Sequence, residues 1–355
     1  MLSIRTAFLL IASLSAACAA LAQNEPATGV LAEQVSDHYA AMAESDTLTQ
    51  RVVSPIEWDR ITRFQDAGGA RLKRHTVDLS KERFDLFVPK LMPAQGYGVL
   101  VFVSPSPEWP VPRDWKPVLE RAGLIYVSAR KSGNDQDVLD RRIPLALHAL
   151  ELVRQRYRTD PEHLYVSGFS GGARVANRIA RAFPDLFAGA VLMAGSDPLG
   201  IRGSIIPERS VMERYQAHSR IVFATGQNDL PNRAQDEHTL KSFQPFCVQG
   251  AKRMPQRRLD HWIPDGRGFR AVVDALLEPV ADDQQLASCR AALQRRIDAG
   301  LATVEQLIAG NRLREAGEKL GTLDDLYGGL AAPGSVALAR RLSALLQSSG
   351  RNAAD

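Results

Sequence analysis

Residues 164–183 confine this chain to a small set of folds. Four strand-forming residues, 164–167, run into Gly168-Phe169-Ser170-Gly171-Gly172. Behind that turn Ala176, Ile179, Ala180 and Phe183 follow the i, i+3, i+4, i+7 spacing of a helix with one buried face. A strand, a sharp turn and a helix in so short a span need glycine on both sides of the central residue, because side chains there would collide with neighbouring backbone. The pentapeptide is G-x-S-x-G, with the Ser170 hydroxyl at the apex and a helix N-terminus behind it, where unpaired N–H groups favour an anion. A dinucleotide-binding loop also joins a strand to a helix, but it needs glycine where Ser170 stands.

The flanking sequence fits the same architecture. Residues 83–88 alternate Phe84, Leu86 and Val88, and residues 99–103 are apolar throughout, as in a strand buried on both faces. Helical patterns at 115–121, 138–157 and 269–277 are interleaved with strand runs at 124–127, 189–193 and 221–224 and a short one at 251–254. Residues 76–79 read as a further strand. This alternation predicts an α/β protein, a doubly wound and mostly parallel sheet over residues 65–280.

Residues 23–64 are polar with weak helical patterning and read as an N-terminal arm. From 281 to 355 the strand signal vanishes. Helical patterns at 286–299, 303–309, 311–320 and 333–346 form a C-terminal helical extension, with Gly300, Gly310, Gly321 and Gly328-Gly329 as expected helix ends. That extension reads either as packing that caps the sheet or as a surface for protein contact.

Residues 1–22 carry Arg5, a short apolar run and a closing Ala20-Leu21-Ala22, the pattern of a secretory signal peptide. The run is shorter than the ~20 residues that span a bilayer, and no later segment is long and apolar enough to do so. Localisation is therefore expected to be periplasmic or secreted. Residues 14–18 also resemble a degenerate lipobox, which would make Cys18 a lipidation site. Cleavage after Ala22 takes away Arg5 and no acidic residue, so the net charge falls from +4 to +3. The basic residues are scattered, and no nucleic-acid footprint is visible. Cleavage also leaves Cys247 and Cys289, either a disulfide favoured by an oxidising compartment or two buried thiols. Two isolated cysteines do not suggest a metal site, and none is expected.

A serine hydroxyl is a weak nucleophile, so a histidine must take its proton and a carboxylate must orient that histidine. With a serine on a strand-to-helix turn the chain order is Ser, acid, His. His38, His75, His148 and His163 precede Ser170; His218 lies before a strand, at the wrong end for a site at strand C-termini; His238 lies on an expected helix. His261 is left as the base. Asp229 follows the strand at 221–224 and is the first choice of acid, with Asp197, after the preceding strand, as its rival. Gly171 N–H is the first oxyanion donor. The second should come from the loop after residue 103, where Pro105 and Pro107 have no N–H, leaving Ser104, Ser106 or a later residue, with Ser106 preferred. Trp109, Trp115 and Trp262 read equally as pocket lining or as core.

These residues resemble those of α/β-hydrolases, and more narrowly the secreted serine esterases that include polyhydroxybutyrate depolymerases and feruloyl or acetylxylan esterases. The resemblance is carried by Arg83-Phe84-Asp85-Leu86-Phe87-Val88-Pro89, the strand at 99–103, the block from Asp160 to Ala173, and Phe183-Pro184-Asp185-Leu186-Phe187-Ala188-Gly189. It implies an α/β-hydrolase fold with Ser170 as nucleophile, Asp229 as acid, His261 as base and no cofactor. Two departures stand out: Ser104-Pro105 replaces a His-Gly pair, and Asp260 replaces the glycine before the histidine. The arm and the helical extension lie outside it. The expected activity is that of a carboxylic ester hydrolase on a small-molecule or polymer substrate, with Trp109 and Trp262 as substrate-contact residues. A serine peptidase of the same fold and a catalytically inactive binding module are the alternatives.

Overall fold

The computed structural model describes residues 27–280 and 284–352. The expected signal peptide and the Cys18 lipidation site lie outside these residues. Eight strands form one sheet: β1 Gly29–Gln34, β2 Phe84–Val88, β3 Tyr97–Val103, β4 Leu124–Ala129, β5 Thr159–Phe169, β6 Gly189–Met193, β7 Arg220–Phe223 and β8 Ala251–Arg253, in the order β1-β2-β4-β3-β5-β6-β7-β8. The β1–β2 and β2–β4 pairs are antiparallel and the rest parallel.

The uniform apolarity of β3 has a direct cause. Val99, Val101 and Val103 enter a core on one face with helices α4 (Ile143–Arg156) and α5 (Gly171–Ala182). Leu100 and Phe102 enter a core on the other face with α3 (Lys116–Ala122) and α8 (Gly266–Leu277). Both faces are covered, so no position in the strand has to be polar.

Two expectations for the segments before β2 are corrected. Residues 76–79 form no strand: Asp78 accepts the Ser80 N–H and starts a 3-10 turn at Leu79–Lys81, while Val77 and Leu79 are buried in the core. The arm at 23–64 contributes β1, an edge strand half exposed along its length and so without a strong apolar signal. It also contributes helices α1 (Ser45–Val52) and α2 (Pro55–Asp66). The arm is held by His148, whose Nδ1 accepts the Ala40 N–H at 3.1 Å.

Helices α6 (Arg209–His218) and α7 (Leu230–Phe243) follow β6 and β7. The extension consists of α9 (Leu286–Ala309), α10 (Leu313–Tyr327) and α11 (Gly334–Asn352). Gly300 and Gly321 lie inside helices instead of ending them. At Gly300 a Cβ would stand 2.6 Å from Leu323 Cδ1, so the glycine serves close approach of α10. The extension closes on the arm: Ile56 of α2 joins Val304, Ile308, Ala316, Leu320, Leu338 and Leu342 in a third core, and Arg340 pairs with the buried Asp59. Cys247 and Cys289 form a disulfide with Cα atoms 5.9 Å apart, tying α9 to the segment before β8.

The bridge closes a loop across a separation of 42 residues, for which the loss of unfolded-chain entropy stabilises the fold by about 4 kcal/mol. Cys247→Ser/Cys289→Ser should therefore lower the denaturant midpoint markedly, and an unchanged midpoint would refute this assignment. His148 is fully buried, and burial, helped by the nearby His75, lowers its pKa to about 4 from 6.5. The unfolded chain then binds one more proton than the folded one between pH 6.5 and 4, so stability should fall as pH drops through that window, by up to about 3 kcal/mol. His148→Gln should flatten that slope in pH-dependent unfolding curves.

Candidate active site

The turn at Ser170 is set by backbone crowding. Ser170 has φ 54° and ψ −122° and separates β5 from α5. A Cβ on Gly168 would lie 2.4 Å from Gly172 C and O, one on Gly172 2.0 Å from Val103 O, and one on Gly195 2.3 Å from Ser170 O. A positive φ on a non-glycine residue costs on the order of 1–3 kcal/mol and persists only where surrounding structure holds it. Here the Ser170 N–H donates to Met193 O at 2.8 Å and helix α5 is packed on both neighbouring strands.

Asp229 follows β7 and immediately precedes α7; His261 lies in the loop between β8 and α8. The structure brings these two onto Ser170: His261 Nδ1 is 2.6 Å from Asp229 Oδ2 and His261 Nε2 is 3.0 Å from Ser170 Oγ. The loops carrying Asp229 and His261 run backbone to backbone. Gln227 N–H donates to Gln256 O at 2.8 Å and Asn228 N–H to Leu259 O at 3.0 Å. Gly226 permits this, since a Cβ there would be 2.2 Å from Leu259 O and 2.3 Å from Asp260 O. The indole of Trp115 anchors the far end of the base loop by donating to Pro264 O at 2.8 Å.

Asp229 is buried, which pushes its carboxyl pKa up. Hydrogen bonds from His261 and Asn232 outweigh that and leave it below the ordinary value. Asn232 Nδ2 donates to both Asp229 oxygens, at 2.9 and 3.0 Å, and lies 3.2 Å from His261 Nδ1. An ionised Asp229 accepts the His261 Nδ1–H and leaves the Nε2 lone pair for the serine proton. Asn232 escaped the sequence reading; its one signal is that it stands three residues beyond Asp229 at a helix start, where side chains three apart meet.

A second carboxylate lies behind the first. Asp236 on α7 is buried and accepts from Thr225 Oγ1 at 2.5 Å and from Ser196 Oγ at 2.8 Å, and Thr225 Oγ1 accepts the Ala194 N–H at 3.1 Å. Burial pushes its pKa up to about 6 against these hydrogen bonds. The network ties the C-terminal ends of β6 and β7 together.

The remaining candidates fall elsewhere. Asp197 is not on His261; it pairs with Arg174 at 2.9 Å and Arg178 at 3.3 Å. His218 is exposed beside Arg220, the first residue of β7, and His238 is exposed on α7. Ser106 has its N–H turned onto Ser104 Oγ at 2.9 Å. Gly171 opens α5, so its N–H has no partner within the helix. Of the tryptophans, Trp115 is core, stacked on Phe269 with centroids 3.9 Å apart. Trp109 and Trp262 lie 5.8 Å apart on a groove of about 560 Å³, both near Phe169, whose ring is 4.9 Å from that of His261. Among the described residues no group of three or more His, Cys, Asp or Glu could hold a metal ion.

Strand order, the antiparallel second strand and the apex serine between β5 and α5 are those of the α/β-hydrolase fold. No model of a known family and no curated protein matches the chain. Among solved structures it is similar to a thermostable esterase, at 17% identity and TM-score 0.42, covering 56% of this chain and 60% of that one. It is also similar to LpqC, a poly(3-hydroxybutyrate) depolymerase from Bordetella parapertussis (17% identity, TM-score 0.41, 59% of this chain and 88% of that one). A ferulic acid esterase matches at 14% identity and TM-score 0.40, over 55% of this chain and 90% of that one. This chain spans 34% of a putative dipeptidyl aminopeptidase IV from Bacteroides ovatus, at 14% identity and TM-score 0.40, over 55% of its own length. At these identities and TM-scores no likeness decides the chemistry, which rests on the side chains above.

Replacing Asn232 by Ala leaves burial of Asp229 opposed mainly by His261. The Asp229 carboxyl should then titrate at higher pH, as followed by carboxyl carbon chemical shift; an unmoved titration would mean that the amide contributes nothing.

Proposed function

We propose that this chain is an exported serine hydrolase that cleaves carboxylic esters through an acyl-enzyme on Ser170. The observation that carries the reading is the unbroken run from Asp229 through His261 to Ser170, at 2.6 and 3.0 Å. His261 Nε2 takes the proton as Ser170 Oγ adds to the ester carbonyl carbon. The carbonyl π electrons move to oxygen, and the Gly171 N–H at the start of α5 donates to that oxyanion. Collapse of the tetrahedral adduct breaks the bond to the alkoxy oxygen, which leaves with the proton from His261. Water, deprotonated by the same imidazole, then releases the acid and restores Ser170. Ser106 can join the oxyanion only by sharing the N–H it gives to Ser104. Asp229, kept ionised with the help of the Asn232 amide, holds the imidazole in the tautomer this sequence needs.

The groove between Trp109 and Trp262 supports an apolar or flat acyl or alcohol group of a small-molecule or polymer ester, reached from the His261 side. Export rests on the sequence pattern of residues 1–22 and agrees with a disulfide that persists in an oxidising compartment.

A fluorophosphonate probe should label the wild type at Ser170, and Ser170→Ala should lose both labelling and hydrolysis of short acyl p-nitrophenyl esters by on the order of 10⁴-fold or more. A folded wild type that is neither labelled nor hydrolytic is instead a binding module of hydrolase fold. Faster turnover of peptide anilides than of esters would make it a peptidase.

A further inference from the structure

The oxyanion loop of this chain is short of donors. Pro105 and Pro107 have no N–H, the Ser106 N–H is given to Ser104 Oγ at 2.9 Å, and Ser104 is itself fully buried. A tetrahedral oxyanion held by Gly171 N–H alone would lose much of the stabilisation that a pair of donors supplies.

The loop after β4 covers this gap. It is fastened to the loop after β3 through Lys131 N–H to Pro107 O at 2.6 Å and Asn134 N–H to Pro105 O at 2.9 Å. The buried Arg142 bridges the same two loops, donating from Nε to Ser132 O at 3.0 Å and from Nη2 to Ser104 O at 2.9 Å. The packing is tight enough that a Cβ on Gly133 would meet Ser106 C at 3.0 Å. So fastened, the loop lays the Asn134 carboxamide on the residue that follows the nucleophile. A Cβ on Gly171 would stand 2.2 Å from Asn134 Oδ1, 2.7 Å from Cγ and 2.9 Å from Nδ2. Asn134 is exposed at this surface, and its side chain makes no hydrogen bond to another described residue. Which end of a carboxamide is nitrogen follows from its partners, so the group is free to present its N–H₂ to an acceptor.

From this we infer that the Asn134 carboxamide, lying against Gly171, is the second oxyanion donor and a catalytic residue of this site. It accounts together for a loop after β3 that can contain two prolines and for a loop after β4 that is pinned to it. The inference rests on the ester-hydrolase reading above and deepens it.

The test uses the full mature chain with a short acyl p-nitrophenyl ester. Asn134→Ala and the isosteric Asn134→Asp should lower kcat by on the order of 10²–10³-fold with KM within about threefold of wild type. The affinity for a trifluoromethyl ketone, which forms the tetrahedral adduct, should fall in parallel with kcat/KM, and the thermal midpoint of Asn134→Asp should stay near that of wild type. Asp cannot donate when ionised, so a folded Asn134→Asp as active as wild type overturns the inference. So does a loss confined to KM, which would make Asn134 a substrate-binding contact only. If Asn134→Ala fails to fold, Asn134→Asp alone decides. A wild type that neither turns over the ester nor reacts with fluorophosphonate defeats the underlying hydrolase reading instead, and that result is distinct from either outcome in the variants.

Discussion

The closeness of α5 to the strands beneath it is the constraint on which the rest depends. Gly172 approaches Val103 O to a distance no side chain would permit, and Gly168 and Gly195 clear the same space from two other directions. With the helix start drawn onto the sheet, the chain must reverse within one residue, and Ser170 takes a left-handed φ to do it. The strain is local, while the contacts that sustain it are spread over β3, β5, β6 and α5. A hydroxyl on such a turn is held clear of its own helix and faces the crevice beyond the strand ends, where loops from β3, β4, β7 and β8 converge.

Asp229 and His261 are aligned by a second backbone contact, between the loops after β7 and β8. Those loops hydrogen-bond directly to one another, and Gly226 allows it. The distance from Asp229 to His261 is therefore fixed by main chain and not by long flexible side chains. Asp236 adds to this by tying Thr225 to Ser196 across the ends of β6 and β7. Two carboxylates near each other have opposite environments: Asp229, given hydrogen bonds by a histidine and an amide, is held low, and Asp236, deeper and given only hydroxyls, is held high.

Legibility in the sequence followed the range of the interaction concerned. The Ser170 turn was readable because its causes, glycines and flanking periodicities, lie within about twenty residues. His261 and Asp229 were reached through chain order and position at strand ends, and the geometry joins them. Asn232 and Asn134 gave no pattern of their own, because an asparagine on a surface loop or helix start looks the same whatever it packs against. Ser106 illustrates the opposite case: a residue type and loop position that suit a donor, with an N–H committed to Ser104. Edge strand β1 was hidden because one side of it is solvated, and Gly300 misled because a glycine that ends a helix and one that admits a neighbouring helix are identical in sequence.

What the sequence determined by itself, then, is the alternation of strands and helices from β2 to α8, the sharp turn and the residue at its apex, since each follows from backbone sterics and burial periodicity within a local window. Tertiary structure decided which aspartate meets the histidine, which tryptophan is core and which lines the groove, how the arm and the C-terminal helices close on each other, and which amides remain unengaged. Those outcomes depend on pairings between segments tens to hundreds of residues apart, whose free energies are set by mutual packing and by competition for hydrogen-bond partners, neither of which is written at any one position in the chain.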